Sequence, residues 1–120
     1  RVCMDPAMAE HAVAHLIGGS GQGVYDIAWK ASPIAHVSKD DPPFLIMHGD
    51  GDTTVPLQQS EALADALKQA DVPVTLIVLP GVGHGGEAFL KPDKVRIIDV
   101  FLKKQLTRPR VKSKIERQRG

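Results

Sequence analysis

"FLIMHGDGDTTVP", residues 44–56, places an unbroken apolar run directly before a loop that holds two aspartates and two glycines. The four apolar residues Phe44–Met47 predict a short buried β-strand over residues 44–48, which the glycine-rich loop ends. "VTLIVLPGVGHGG", residues 74–86, has the same arrangement, because a β-branched apolar run leads into a glycine-rich loop that contains His84. Apolar runs of this kind are typical of strands in a parallel sheet that is covered on both faces.

Helical patterns separate and flank the two strands. Apolar residues recur every three or four positions after Asp5-Pro6, after Pro56 and after Pro92, which is the spacing of one helix face. A shorter helix is predicted from Tyr25 to Lys30. The residues predicted to face inward from the two helices that follow the strands are Leu63, Ala66, Leu67, Ala70, Val95, Ile98, Phe101 and Leu102. The order helix, strand, helix, strand, helix predicts a βαβ unit in an α/β fold.

The charge distribution divides the chain into two parts. Residues 1–106 carry 9 Lys/Arg and 13 Asp/Glu, a net charge of −4, and residues 107–120 carry 6 basic residues and Glu116, a net charge of +5. We therefore predict one domain portion over residues 1–106 and a basic C-terminal tail over residues 107–120. An acidic body with only 4% aromatic residues gives no indication of nucleic-acid binding.

Several kinds of site are not expected from the residue inventory. Cys3 is the only cysteine, so the chain has neither an internal disulfide nor a cysteine cluster for zinc. His11 and His15 have the i, i+4 spacing of metal ligands on a helix but lack the glutamate of the H-E-x-x-H motif, which favours two solvated side chains. No apolar run of about 18 residues exists, and we expect no membrane span, metal or organic cofactor.

The two glycine-rich loops are predicted to meet at one edge of the sheet. Ligands of open parallel sheets bind beyond the carboxyl ends of the strands, and both loops follow such ends. Asp50 and Asp52 in the first loop and His84 in the second would therefore lie close together. A carboxylate that accepts from one imidazole nitrogen leaves the other nitrogen able to take a proton from a nucleophile. Asp-Gly and Gly-Asp are also common in plain turns, so both aspartates could be turn formers alone.

The region as a whole resembles the C-terminal half of an α/β-hydrolase. "PPFLIMHGDGDTTVPLQQSEALADALKQADVPVTLIVLPGVGHGG", residues 42–86, is similar to esterases and lipases of the feruloyl-esterase-like group, next to the prolyl oligopeptidase-type hydrolases. That family shows H-G-x-x-D-x-x-V-P, a helix that begins near Q-S, a strand, and a G-x-G-H loop. The matching positions are His48-Gly49, Asp52, Val55-Pro56, Gln59-Ser60 and Gly81 to His84. The resemblance extends over roughly residues 15–106.

The resemblance implies a role for each loop residue. Asp52 corresponds to the acid and His84 to the base of a Ser-His-Asp triad, and the chain order Asp before His is the one these hydrolases have. Asp50 falls at a position that is often acidic in the family but lies outside the triad, and we predict that it shapes the loop by hydrogen bonding. His48 ends a buried strand and is predicted to be a packed, hydrogen-bonded histidine.

One part of the family pattern has no counterpart in the sequence. The nucleophile of these hydrolases lies in G-x-S-x-G between a strand and a helix. "GGSGQG", residues 18–23, is the nearest segment, but Gln22 stands where the motif requires glycine, and no buried strand precedes it. We therefore expect the nucleophile, the oxyanion-hole donors and the N-terminal half of the domain upstream of Arg1.

The sequence thus predicts the C-terminal part of an α/β-hydrolase fold from a serine hydrolase of small-molecule carboxylic esters. A serine peptidase of the prolyl oligopeptidase type is the nearest alternative, because the acid and base loops of the two groups look alike. A non-catalytic interaction module, or a truncated gene product without activity, is an alternative from another class. The absence of G-x-S-x-G from the 120 residues favours the non-catalytic module or truncated product for the chain taken alone.

Overall fold

A computed structural model of the protein describes the backbone of residues 22–108 and the side chains of residues 26–108. The predicted helix after Asp5-Pro6, with Cys3, His11 and His15, lies outside the described residues, as does most of the predicted basic tail. The described elements in chain order are helix α1 (Gln22–Ala31), a 3-10 turn (Pro33–His36), strand β1 (Phe44–Gly49), helix α2 (Leu57–Gln69), strand β2 (Val74–Leu79), a 3-10 turn (Glu87–Leu90) and helix α3 (Pro92–Leu106). Helix α1 begins three residues before the predicted start at Tyr25. The last two residues of the segment GGSGQG, Gln22 and Gly23, are therefore helical.

The two strands pair in parallel, as predicted. Phe44 lies opposite Val74 and Gly49 lies opposite Leu79, with unbroken register between them. Two parallel strands need a crossover connection, and α2 supplies it. Because the strands point in the same direction and end opposite each other, the loops that follow them leave the sheet at the same edge.

Helix α2 packs against both strands and supplies much of the core. Its buried residues are Ala62, Ala64 and Leu67, and Leu67 is fully buried. Leu67 was predicted to face inward, whereas Leu63, Ala66 and Ala70 are only partly covered. The two described strands cover a narrow stripe of the helix, so the residues at the margin of that stripe stay in contact with solvent.

The end of α2 returns the chain to the sheet within a few residues. The N–H of Val72 donates to the carbonyl of Leu67 at 2.9 Å, and the N–H of Asp71 donates to that of Lys68 at 3.1 Å. These two bonds form a Schellman motif, in which the residue after the cap takes the left-handed conformation. Asp71 has a φ of 59° and takes that place, which is more often occupied by glycine. β2 can therefore begin at Val74.

Two predictions of burial are wrong for the described residues. Thr75 and Val78 of β2 are exposed, so this strand is not covered on both faces. Helix α3 was predicted to turn an apolar face inward, but Val95, Ile98 and Leu102 are exposed and Phe101 is only partly covered. The main contact of α3 is with the preceding turn Glu87–Leu90 rather than with a sheet. Apolar residues at helical spacing stay exposed when no such layer packs on them.

No helix within residues 22–108 is long and apolar enough to cross a membrane.

Candidate active site

The loops that follow β1 and β2 are joined by hydrogen bonds at the carboxyl edge of the sheet. Asp50 makes two of them, since its N–H donates to the carbonyl of Leu79 at 3.1 Å and its Oδ1 accepts the N–H of Gly81 at 2.6 Å. The N–H of Gly51 donates to the carbonyl of Val82 at 3.0 Å. Asp50 is therefore a residue that ties one loop to the other, as predicted.

Gly49 allows the two loops to approach closely. A Cβ at this position would lie 2.0 Å from the carbonyl oxygen of Val82, a distance at which backbone must shift. At Gly51 the same oxygen would lie 3.2 Å from a Cβ, which requires a smaller adjustment. Gly81 has a φ of +69°, in the left-handed region that glycine enters without steric cost. Gly49, Gly51 and Gly81 thus each have a specific steric reason to be glycine.

The carboxylate of Asp52 is held on both of its oxygens. Oδ1 accepts the backbone N–H groups of Thr54 at 2.9 Å and of Val55 at 2.8 Å. Oδ2 lies 2.9 Å from Nδ1 of His84, and the side chain of Asp52 is only 5% exposed. The sequence-predicted pair of Asp52 and His84 is therefore in direct hydrogen-bond contact.

Opposing influences act on the pKa of the Asp52 carboxyl. Burial by itself raises this pKa, but the N–H groups of Val55 and Thr54 and the ring of His84 all favour the ionised form. The net result is a pKa below the ordinary value of 3.8. Asp52 is thus an acceptor for the Nδ1–H of His84 at neutral pH.

His84 extends from the loop into solvent. Its side chain is 60% exposed, although Nδ1 is fixed by Asp52. Within the described part of the chain, Nε2 makes no hydrogen bond. The ring borders an open groove whose apolar wall includes Met47, Val55 and Phe89. Because Nδ1 donates to a carboxylate, Nε2 of the neutral ring carries the lone pair and can accept a proton from a group in that groove.

His48 lies behind Asp52 and is 8% exposed. Its Nδ1 is 2.6 Å from Oγ of Ser60 on α2, and its Nε2 is 2.8 Å from the carbonyl oxygen of Val55. Nε2 also lies 3.3 Å from Oδ2 of Asp52. The prediction of a packed, hydrogen-bonded histidine is confirmed. No local pattern in the sequence predicts its contact with Ser60, because that contact depends on how α2 lies against β1.

Ser60, His48 and Asp52 together have the residue types of a triad, but their geometry differs from a catalytic arrangement. The better acceptor for Nε2 of His48 is the carbonyl of Val55, and the ring is nearly enclosed. Ser60 is the fourth residue of a regular helix rather than the tip of a strained strand-to-helix turn. These features favour a structural network over a second nucleophile. Among the described residues, no three His, Cys, Asp or Glu side chains are grouped so that they could hold a metal ion.

Comparison with known proteins identifies the family. The family model described as the prolyl oligopeptidase family matches residues 9–108. The chain belongs to this family. Because most of the chain is matched, the resemblance predicted from the two loops is confirmed at the level of the family.

Individual relatives agree with this assignment. The probable carboxylic ester hydrolase LipM of Mycobacterium tuberculosis is 44% identical over 55 residues, which is 45% of this chain and 13% of that protein. The uncharacterized peptidase YuxL of Bacillus subtilis is 34% identical over 56 residues, 47% of this chain and 8% of that protein. A truncated form of a carbohydrate esterase from gut microbiota superposes with a TM-score of 0.62 at 38% identity, over 67% of this chain and 28% of that one.

These matches confirm the fold class as part of an α/β-hydrolase, with parallel strands and flanking helices. The matched segments span between 8% and 28% of the length of these three relatives.

Proposed function

We propose that the protein acts in a serine hydrolase that cleaves carboxylic esters, with Asp52 as the acid and His84 as the base of its catalytic triad. The observation that carries this proposal is the 2.9 Å contact between Oδ2 of Asp52 and Nδ1 of His84, with the far side of the imidazole open to a groove. LipM and the gut carbohydrate esterase, both named for ester hydrolysis, support the substrate class.

The proposed mechanism follows from this hydrogen bond. Asp52 fixes the His84 tautomer that has its proton on Nδ1, so that Nε2 accepts the proton of a serine hydroxyl upstream of residue 1. The serine oxygen attacks the ester carbonyl, and the imidazolium that forms is stabilised by the Asp52 carboxylate. His84 then donates the proton to the departing alcohol, and water hydrolyses the acyl-enzyme by the same proton transfers in reverse. None of these steps needs a metal or an organic cofactor.

Substitution of the pair tests the proposal in the intact protein. In Asp52→Asn and His84→Ala, kcat for p-nitrophenyl acetate should fall by roughly 10³–10⁴-fold, because either change removes proton transfer through a correctly oriented imidazole. Asp65→Asn and His36→Ala are matched controls, since both of these side chains are exposed and lie outside the groove. Both controls should hydrolyse the ester at the wild-type rate. If Asp52→Asn and His84→Ala also do so, the triad assignment is wrong.

A serine peptidase is a second candidate function. The prolyl oligopeptidase family match and the name of YuxL favour it. The acid and base would have the same roles with an amide substrate, so the pair itself does not discriminate. The ratio of kcat/KM for p-nitrophenyl acetate and for a prolyl p-nitroanilide, measured on the same preparation, distinguishes the two functions. If the wild-type protein prefers the anilide and Asp52→Asn loses both activities, the peptidase function would replace the esterase function.

A non-catalytic module is the remaining alternative. It predicts that the intact protein hydrolyses neither substrate above the buffer rate. It also predicts no reaction of the intact protein with a fluorophosphonate, whereas the proposed hydrolase should be labelled on its nucleophilic serine.

A further inference from the structure

His48 occupies the space between helix α2 and the Asp52 carboxylate. Both of its ring nitrogens are bonded, Nδ1 to the hydroxyl of Ser60 and Nε2 to the carbonyl of Val55. The ring is buried, since His48 is only 8% exposed. A polar ring that is buried with both nitrogens satisfied has a fixed orientation, since any rotation would leave a nitrogen unpaired.

The partners of His48 determine which nitrogen carries the proton. A carbonyl oxygen only accepts, so the contact of 2.8 Å with Val55 requires the proton on Nε2. In the neutral ring Nδ1 is then an acceptor, and the hydroxyl of Ser60 donates to it across 2.6 Å. Ser60 thereby favours the tautomer that presents an N–H toward the acid loop.

The same nitrogen also lies near the carboxylate oxygen that His84 uses. Oδ2 of Asp52 lies 3.3 Å from Nε2 of His48 and 2.9 Å from Nδ1 of His84. Val55 forms a second connection, because its N–H donates to Oδ1 of Asp52 while its carbonyl accepts from His48. His48 therefore contacts the carboxylate at Oδ2 and is linked to Oδ1 through Val55.

We propose that His48, with its tautomer set by Ser60, is a positioning residue that keeps Oδ2 of Asp52 directed at Nδ1 of His84. This inference rests on the proposed function, in which that hydrogen bond orients the catalytic base. His48 has no contact with substrate in this arrangement and takes no part in proton transfer. Loss of His48 is expected to lower kcat, because a wrongly oriented base slows the chemical step. The apolar wall of the groove, which would bind the substrate, is unchanged.

Two substitutions at position 48, made in the intact protein, separate positioning from packing. His48→Leu fills a similar volume but removes the N–H. In this variant kcat for p-nitrophenyl acetate should fall by about 10–100-fold, the range typical when a residue that orients a functional side chain is lost. KM should change less than about twofold, since ground-state binding is retained. His48→Gln, whose side-chain amide can donate toward Val55 and Asp52, should recover most of kcat.

A spectroscopic readout reports on the hydrogen bond itself. The Nδ1 proton of His84, observed by NMR with selectively ¹⁵N-labelled histidine, should shift and exchange faster with water in His48→Leu. It should remain at the wild-type position in His48→Gln. A purely structural role for His48 would alter the melting temperature of His48→Leu and leave the His84 proton unchanged in the folded protein.

Ser60 provides a test that does not depend on whether His48→Leu folds. Ser60→Ala removes only the hydroxyl and should lower kcat and shift the His84 proton in the same direction as His48→Leu, while Ser60→Thr keeps a hydroxyl and should restore both. Gln58→Ala, at an exposed position of the same helix turn, is the control and should behave as wild type.

The outcomes that overturn the inference differ from those that overturn the proposed function. Wild-type kcat and an unchanged His84 proton in Ser60→Ala would refute positioning, even if Asp52→Asn is inactive. Fluorophosphonate labelling of Ser60 would also refute it, because Ser60 would then be a nucleophile. Wild-type activity of Asp52→Asn would instead refute the triad.

Discussion

Asp50 and Asp52 show how two equal side chains, two positions apart, come to differ. Asp50 is exposed and its carboxylate accepts a backbone N–H from the other loop, so that it contributes to the loop geometry. Asp52 is enclosed, accepts two N–H groups from its own loop and contacts His84. From the sequence, the roles of the two aspartates could be distinguished only by resemblance to a family motif, because aspartate is common in turns.

The depressed pKa of Asp52 leads to a prediction about pH. A carboxyl whose pKa is lower in the folded state than the ordinary 3.8 contributes stability that is present above 3.8 and is lost as the pH falls through the folded pKa. In a ¹³C NMR titration of the folded intact protein, the Asp52 carboxyl should therefore titrate with a midpoint below 3.8. Loss of ester hydrolysis between pH 5 and pH 7 would then come from a group other than Asp52.

Asp52→Asn is the control for that titration, because it lacks the carboxyl and so identifies the Asp52 resonance. A midpoint for Asp52 at or above 3.8 would show that burial outweighs the three hydrogen bonds.

At the scale of elements, the site depends on how closely two loops approach. Gly49→Ala would place a methyl group against the carbonyl of Val82, and the loops would have to separate. Such overpacking typically costs about 1–3 kcal/mol. The same shift would increase the distance from Asp52 to His84, and a displacement of about 1 Å can lower a catalytic rate by about 10²-fold. Urea unfolding and ester hydrolysis by the intact protein measure the two effects.

Gly51→Ala is the matched variant for that prediction. Its new methyl group meets the same carbonyl at 3.2 Å, so a few tenths of an ångström of movement relieve the contact. It should therefore lose less stability and less activity than Gly49→Ala. Equal losses in the two variants would mean that the close approach at Gly49 does not determine the geometry of the site.

The strands and the central helix could be predicted from the sequence because their signals are local. The apolar runs ended by glycine or proline gave β1 within one residue and β2 without error, and the helical spacing after Pro56 gave α2. The parallel order then brought the two loops to one edge, so the Asp52–His84 contact was predictable. The His48–Ser60 contact was not, because it depends on the rotation of α2 about its axis.

At the scale of the whole molecule, burial was the property that the sequence could not determine. The pattern of α3 correctly specifies an apolar face, with Val95, Ile98 and Leu102 on it, but these residues are exposed in the described chain. A periodic pattern states that a helix has a face to bury and does not state what buries it. The related gut esterase is matched over 28% of its length, so most of that fold has no counterpart in the matched segment.

The 120 residues taken alone are predicted to be inactive toward esters. The proposed triad places its serine upstream of residue 1, and Ser60 bonds to the buried ring of His48 rather than to His84. Residues 1–120, expressed by themselves, should therefore neither release p-nitrophenol from p-nitrophenyl acetate above the buffer rate nor react with a fluorophosphonate. Intact-mass spectrometry after treatment with the fluorophosphonate measures the second effect, and the intact protein is the positive control. An adduct on any serine in stoichiometric amount would place the nucleophile within these residues, and the chemistry at Asp52 and His84 would then have to be assigned again.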